Sequence, residues 1–282
     1  MSGDVSDVPD VLGVQLEDAR RRVVAAEAVE PLAELRARAV DVPPGPSLRA
    51  ALAGPGTAVL AEVKRASPSR GALADIPDPV AQAEAYVAGG AAAVSVLTAP
   101  LGFSGALDDL AAVARLGVPT LRKDFLVDPR QVWEARAVGA SAVLLIAMAA
   151  SDAMLAELVA TASEAGLDVL LEVHDAEEMA RAVRLDASLV GVNVRDLRDF
   201  SVDRDRFAAI AAGRPSGAVL VAESGVRGPE DVVAYAAAGA DAVLVGEHLV
   251  RSGDPVAATA ALVAAGAGPD PVGTAAGTGG AR

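Results

Sequence analysis

Short apolar runs recur at regular intervals along this chain, and stretches with helical signals separate them. Most of the runs are continuously apolar rather than alternating, which is typical of parallel strands that are covered on both faces. The stretches at 78–90, 128–139 and 228–239 each have a proline near the first turn and a glycine at the end, as helices commonly do. The pattern predicts eight strand–helix units, with strands at 59–64, 92–98, 120–125, 142–147, 169–174, 189–195, 219–224 and 242–246.

The even spacing of these units favours a closed barrel over an open sheet. Related phrases, AGGAAAVSVL, VGASAVLLI and AGADAVLVG, begin at residues 88, 138 and 238. These steps correspond to two and four units of about 25 residues, the length of a strand plus a helix. The alternative is a doubly wound open sheet, but no G-x-G-x-x-G follows the first predicted strand. We therefore expect an α/β fold, a (β/α)8 TIM barrel with an extra N-terminal helical segment.

Two segments lie outside the repeats. The first precedes strand one and has helical patterning, so we expect residues 1–48 to form a helical extension that caps the barrel at 49–265. The second, residues 266–282, is rich in glycine, proline and alanine and is expected to be a disordered tail.

Composition and charge exclude several classes of function. The chain has 282 residues, of which 52% are hydrophobic and 22% charged, as in globular proteins. Its formal net charge of −14 argues against nucleic-acid binding, because phosphate backbones would repel it. The absence of cysteine excludes disulfides, thiolate metal sites and a cysteine nucleophile. The only two histidines, His174 and His248, argue against a multi-histidine metal centre.

The sequence indicates no association with membranes. The acidic start MSGDVSDVPDV lacks the basic and apolar regions of a signal peptide. The uncharged stretch at 85–107 contains several glycines and a proline, so it does not resemble a membrane span. We therefore expect a soluble cytoplasmic protein.

The rarest polar residues mark a candidate site. The only lysines are Lys64 and Lys123, and the only asparagine is Asn193. All three fall at the C-terminal ends of predicted strands one, three and six, where this fold builds its active sites. A compositional bias against lysine explains the scarcity but not the positions. Arginine cannot replace a compact ammonium that must donate a proton, because a guanidinium stays charged.

Strand periodicity places further charged residues beside the lysines. Glu62 and Lys64 are two residues apart, so both point to the same face of their strand. The same parity places Lys123, Glu172 and Asn193 toward the barrel interior, where they would converge on one pocket. Such groups shift one another's pKa values, which general acid–base chemistry requires. The alternative is a structural ion-pair network. His174 has the same parity and is expected to support its neighbours or to cap a helix rather than to act as a catalyst.

The ends of strands seven and eight suggest a phosphate site. They read AESGVRG at 222–228 and VGEHL at 245–249. Gly225 and Gly246 would allow the backbone to approach an anion closely, and barrels often bind phosphate at these two strands. The alternative is that both glycines only turn the chain.

The motifs E-x-K-R-x-S-P-S at 62–69, L-R-K-D-F at 121–125 and N-x-R-D-L at 193–197 resemble those of the indole-3-glycerol-phosphate synthase family. The resemblance runs from about residue 10 to 265. It implies a cytoplasmic carboxy-lyase of tryptophan biosynthesis that needs no cofactor. The substrate would be the phosphorylated small molecule 1-(2-carboxyphenylamino)-1-deoxyribulose 5-phosphate, and the product indole-3-glycerol phosphate. Members of the family can be monomers, so we expect a monomer or a weak oligomer.

The resemblance also implies roles for individual residues. Lys123 is similar to the acid that protonates the ribulose carbonyl, and Glu172 to the base of the dehydration. Glu62 would assist the departing hydroxyl. Lys64 would hold the substrate carboxylate or phosphate, and the division of proton transfer between the two lysines stays open. Asn193 and Arg195 would orient the substrate and the Glu172/Lys123 pair, and Asn193 is counted with the catalytic residues. The other expected substrate contacts are Ser67, Phe103, Phe125, Glu223, Ser224, Gly225, Gly246 and Glu247.

Two positions depart from the family pattern, and other functions stay open. Ala99 stands where a glutamate is common, and Val194 where asparagine or serine is common. The related phosphoribosylanthranilate isomerase would need a cysteine, which this chain lacks. A barrel that binds phosphometabolites without turnover is a second alternative, although Lys123 and Glu172 are retained. A paralogue that serves a specialised indole pathway is the third.

Overall fold

Eight parallel strands close into a barrel, so the predicted fold class is confirmed and the open doubly wound sheet is wrong. The computed structural model describes residues 11–68, 70–196 and 201–268. Each strand pairs with its neighbours in sequence, and the last pairs with the first. The strands are β1 (Ala58–Val63), β2 (Ala93–Leu97), β3 (Thr120–Lys123), β4 (Ala142–Ile146), β5 (Asp168–Val173), β6 (Leu189–Asn193), β7 (Val219–Glu223) and β8 (Ala242–Val245).

Helices follow the strands around the outside of the barrel. Three of them begin with an Asp-Pro pair, in which the aspartate accepts hydrogen bonds from the first free N–H groups and the proline needs none. The described helices are α1 (Val11–Val29), α2 (Leu32–Val40), α3 (Leu48–Leu52), α4 (Pro79–Ala88), α5 (Leu107–Ala114), α6 (Pro129–Ala137), α7 (Asp152–Ala165), α8 (Ala176–Arg184), α9 (Arg206–Ala211), α10 (Pro229–Ala237), α11 (Glu247–Val250) and α12 (Pro255–Gly266).

The alternating side chains of each strand belong to two different cores. On β1, Val59 and Ala61 pack outward against the helices, while Leu60 joins a separate cluster inside the barrel. Both faces are therefore buried, which explains the continuous apolar runs in the sequence. The inner cluster fills the barrel up to the C-terminal rim, where polar side chains lie beside apolar ones such as Ile146.

The N-terminal helices run from the rim of the barrel to its base. Arg22 of α1 forms an ion pair with Asp124, which directly follows β3 at the rim. At the opposite end, Leu48 and Leu52 of α3 are fully buried in the inner cluster. The first ten residues of the expected extension lie outside the described residues. The exact domain boundaries stay a prediction.

The C-terminal tail lies almost wholly outside the described residues. Helix α12 ends at Gly266, the first residue of the expected tail, and 269–282 are not described. Among the helices that are described, none is both long and apolar enough to cross a membrane.

The base of the barrel should depend strongly on α3. We expect Leu52→Ala to lower the free energy of unfolding by about 2–5 kcal/mol, because it leaves a cavity beneath the inner cluster. Urea denaturation measures this change. Val24→Ala on α1 is the control, because Val24 is 71% exposed and should change stability by less than about 0.5 kcal/mol. Equal effects of the two substitutions would contradict a structural role for α3.

Candidate active site

The C-terminal ends of the strands surround a cavity of about 900 Å³. Parallel strands bring all their carboxyl ends to one rim, which is why residues distant in sequence meet there. All the site residues predicted from the sequence line this cavity, namely Glu62, Lys64, Ser67, Phe103, Lys123, Phe125, Glu172, Asn193, Arg195, Glu223, Ser224, Gly225, Gly246 and Glu247.

Lys123 lies between two carboxylates at the centre of the site. Its Nζ is 2.8 Å from Oε2 of Glu172 and 3.0 Å from Oε2 of Glu223. Burial by itself would lower the pKa of the Lys123 ammonium, but attraction to Glu172 and Glu223 outweighs it and raises the pKa above its ordinary value. Lys123 therefore carries a proton throughout the neutral range.

Glu172 is held as a carboxylate by three neighbours. Besides Lys123 at Oε2, Asn193 donates its Nδ2–H to Oε1 at 3.0 Å, and His174 Nε2 lies 3.3 Å from the same oxygen. Burial by itself would raise the pKa of Glu172, but Lys123 and His174 hold it well below its ordinary value. An ionised carboxylate next to a protonated amine is the arrangement that acid–base chemistry needs.

Glu223 belongs to the same buried cluster. Its side chain is 2% exposed, and its Oε1 has no hydrogen-bond partner in the described part of the chain. Burial raises the pKa of this carboxyl above its ordinary value despite the nearby Lys123 ammonium. Glu223 was expected among the substrate contacts, and the structure places it against the proton on Lys123.

Sequence reasoning missed Gly191, which makes room for Glu223. A Cβ atom at this position of β6 would overlap the Glu223 carboxylate. A glycine inside a strand is the signal that could have identified it, because such glycines often mark a close approach.

A second ion pair lies at the C-terminal end of β1. Lys64 Nζ is 3.4 Å from Oε2 of Glu62, as the shared parity predicts. The Glu62 carboxylate occupies the space next to Gly246, where a Cβ atom would overlap it. Gly246 therefore accommodates a site carboxylate, in addition to the backbone approach to phosphate that was expected of it.

The turn after β7 has an uncommon backbone conformation, which hydrogen bonds hold beside the cavity. Ser224 has a φ of 72°, an uncommon conformation for a non-glycine residue, and Gly225 follows with a φ of 80°. The Ser224 hydroxyl donates to Oδ1 of Asn193 at 2.9 Å, and Tyr235 donates to the Ser224 carbonyl at 3.1 Å. These bonds hold the strained turn in place beside the cavity.

One wall of the cavity is aromatic. The rings of Phe103 and Phe125 have centroids 6.0 Å apart at an angle of 47°. Leu144 and Ile146 from β4 extend this apolar surface toward the barrel interior. Such a wall suits a flat apolar ring, which is the contact expected of both phenylalanines.

Sequence reasoning also missed a set of arginines around the cavity. Arg70 lies 3.5 Å from Glu247 across the mouth, and both Arg204 and Arg227 pair with Asp231 of α10. Nearly all basic residues of the chain are arginines, so these had no distinguishing signal in the sequence. Arg251 and the second histidine, His248, also line the cavity.

In the ranges 11–68, 70–196 and 201–268, no group of three or more histidine, aspartate or glutamate side chains is arranged to hold a metal ion.

Comparison with known proteins identifies the family. The family model described as indole-3-glycerol phosphate synthase matches residues 14–262. The chain is 54% identical over 260 residues to the indole-3-glycerol phosphate synthase of Mycolicibacterium gilvum, an alignment that covers 92% of this chain and 96% of that protein. The protein of that name from Mycobacterium tuberculosis is 53% identical with the same coverage.

The chain belongs to the indole-3-glycerol phosphate synthase family.

More distant structures share only the barrel. Thiamine phosphate pyrophosphorylase from Pyrococcus furiosus aligns with a TM-score of 0.57 and 17% identity, over 78% of this chain and 97% of that one. For 3-hexulose-6-phosphate synthase from Salmonella typhimurium, the TM-score is 0.56 and the identity 14%, over 74% and 98% of the two chains. At this identity the likeness describes the fold alone.

The side chains of the two departures from the family pattern do not face the cavity. Ala99 is fully buried, and Val194 is buried in the outer core between strands and helices. Neither residue lines the cavity. In this indole-3-glycerol phosphate synthase family member, both substitutions therefore concern packing.

Gly191 provides a test of how tightly the buried carboxylates are packed. We expect Gly191→Ala to lower the free energy of unfolding by about 1–3 kcal/mol, because the added methyl group displaces Glu223. Chemical denaturation measures this loss. Gly54→Ala is the matched control, since no atom lies within 4 Å of a Cβ atom there. An unchanged stability for Gly191→Ala would show that Glu223 has other space available.

Proposed function

We propose that this protein converts 1-(2-carboxyphenylamino)-1-deoxyribulose 5-phosphate to indole-3-glycerol phosphate, carbon dioxide and water. The observation that carries this proposal is the Lys123 ammonium, held 2.8 Å from Glu172 and 3.0 Å from Glu223 inside a cavity with an aromatic wall. The enzyme contributes a proton donor, a proton acceptor and orientation, and the reaction as written needs no redox partner.

Ring closure joins the aromatic carbon that bears the carboxylate to the ribulose carbonyl carbon. The carbonyl oxygen gains negative charge as this bond forms and takes the proton of Lys123. The raised pKa of Lys123 ensures that the proton is present beforehand. An oxyanion formed from a carbonyl is a stronger base than an amine, so the transfer is favourable. Loss of carbon dioxide then returns the bonding electrons to the ring.

Dehydration requires a base that removes a proton from the new ring and a group that protonates the departing hydroxyl. Glu172 accepts the proton that the ring carbon beside the nitrogen loses. Glu62 passes a proton from water to the hydroxyl, which leaves as a water molecule. Once Lys123 has given up its proton, the attraction that lowers the pKa of Glu172 is weaker. Glu172 therefore becomes a stronger base after the first step, when the second step needs one.

The two ends of the substrate would occupy opposite sides of the cavity. Phe103 and Phe125 contact the anthranilate ring, and the turns at Ser224–Gly225 and Gly246–Glu247 receive the phosphate. Lys64 holds an anionic group and Arg195 orients the substrate. The arginines at the rim provide positive charge for an anion despite the net charge of −14. The expected oligomeric state, a monomer or a weak oligomer, and the cytoplasmic location stay predictions.

Indole fluorescence tests the activity directly. The purified protein, incubated with the carboxyphenylamino-deoxyribulose phosphate, should develop the fluorescence of an indole product, and carbon dioxide should be released in equal amount. Binding of the substrate without turnover would favour a non-catalytic barrel. If the protein neither binds nor converts this compound, the proposed substrate class is overturned.

The two lysines can be separated by matched substitutions. Lys123→Arg keeps the positive charge but cannot donate a proton, so we expect kcat to fall by at least about 100-fold. Lys64→Arg should raise KM and leave kcat nearly unchanged. A guanidinium can still hold an anion, but its shape differs from that of an ammonium, so binding is weaker. Steady-state kinetics of both variants distinguishes the roles. A large loss of kcat in Lys64→Arg with little change in Lys123→Arg would exchange the two assignments.

A further inference from the structure

His174 is a buried ionisable group that the mechanism above does not use. Its Nε2 lies 3.3 Å from Oε1 of Glu172, and its Nδ1 lies 3.2 Å from Oε2 of Glu178. The Nε2 approach is a close charge contact rather than an aligned hydrogen bond. The ring is therefore enclosed by two carboxylates on opposite sides.

The surrounding structure fixes the position of this ring. Glu178 on α8 also accepts the backbone N–H of His174 at 2.9 Å, so one carboxylate holds both ends of the residue. The cap of α8, Asp175, accepts the backbone N–H of Glu178 at 2.8 Å. Arg206 at the start of α9 donates to the carbonyl of His174 at 3.0 Å. These bonds fix the backbone of His174 and the position of Glu178, so the ring cannot turn away from Glu172 without breaking its contact with Glu178.

The charges that face the ring favour its protonated form. Glu172 comes from β5 and Glu178 from α8, whereas Arg206 contacts only the backbone carbonyl and Lys123 reaches the opposite oxygen of Glu172. An imidazole between two carboxylates is stabilised as imidazolium. In agreement, burial alone would lower the pKa of His174, but Glu172 and Glu178 raise it to about 10.

We propose that His174 is a positioning residue that remains an imidazolium throughout the reaction and keeps Glu172 ionised while Lys123 changes its protonation state. This inference rests on the proposed function, in which Lys123 donates a proton before Glu172 accepts one. Lys123 and His174 contact different oxygens of Glu172, so the loss of one positive charge leaves the other in place. Without His174, Glu172 would take up a proton too early and would be lost as the base.

The pH dependence of kcat tests this role. A positive charge at His174 lowers the pKa of Glu172, so its removal raises that pKa. Activity that needs ionised Glu172 is lost as the pH falls through this value. His174→Gln, which keeps a polar side chain but not the charge, should therefore move the acidic limb of the profile upward by about 1–3 pH units. Glu178→Gln should move it in the same direction by less, because it only weakens the imidazolium.

A structural role alone would give a different result. Arg184→Gln removes a positive charge from an exposed position of the same helix, where the side chain is 57% exposed, and should leave the profile unchanged. Thermal unfolding of each variant shows whether the fold is intact. If His174→Gln loses stability but keeps the acidic limb of the unsubstituted protein, the proposal is overturned.

Nitrogen NMR of histidine-labelled protein tests the charge without any turnover. The chain has only two histidines, so the signal missing from His174→Gln assigns the ring. His174 should remain an imidazolium at pH 8, where an ordinary histidine with a pKa of about 6.5 is neutral. Glu172→Gln should lower its pKa. A neutral His174 at pH 8 would overturn this inference alone, whereas a protonated His174 without turnover would overturn the proposed function and leave the charge contact standing.

Discussion

The site depends on the buried interaction of the Lys123 ammonium with the side chains of Glu172 and Glu223. Removing charged groups from water is costly, and the cost is offset only when the partners are close and well arranged. Closure of the barrel provides this arrangement, because β3, β5 and β7 carry the three groups toward a common centre. The backbone of the barrel therefore holds the three groups close together, which flexible side chains could not achieve alone.

The requirements of this cluster extend to neighbouring residues. Glu223 is accommodated only because Gly191 has no side chain, and Glu172 is oriented by Asn193. Asn193 accepts in turn from Ser224 in the strained turn after β7. Lys123, the proposed proton donor, and the expected phosphate site are thus joined by one chain of hydrogen bonds, so a change at the turn is expected to alter the orientation of Glu172.

Apolar packing and charged groups occupy different parts of the barrel. The base is filled by apolar side chains, which α3 closes from below. The rim holds the charged groups, and α1 reaches it through the ion pair between Arg22 and Asp124, the residue after Lys123. The N-terminal segment therefore connects the two regions. Because the apolar base provides the inner packing, the rim can hold a buried charge cluster that by itself would favour unfolding.

The sequence by itself determined which side chains can meet. The regular apolar runs predict the barrel, and the two-residue period of a strand places Glu62 with Lys64 and directs Lys123, Glu172 and Asn193 inward. The scarcity of lysine and asparagine drew attention to Lys64, Lys123 and Asn193, because composition does not explain why all three lie at strand ends. These inferences need only local geometry and the general rule that barrel sites form at the C-terminal rim.

Only the tertiary structure decided which groups touch. Glu223 contacts Lys123, Gly191 yields space to Glu223, and His174 is enclosed by Glu172 and Glu178. Each of these relations depends on the register of adjacent strands or on how a helix packs beside a strand, neither of which a single strand's pattern contains. The arginines at the rim could not be identified for the same reason, because the sequence does not show which arginines face the cavity and which face solvent.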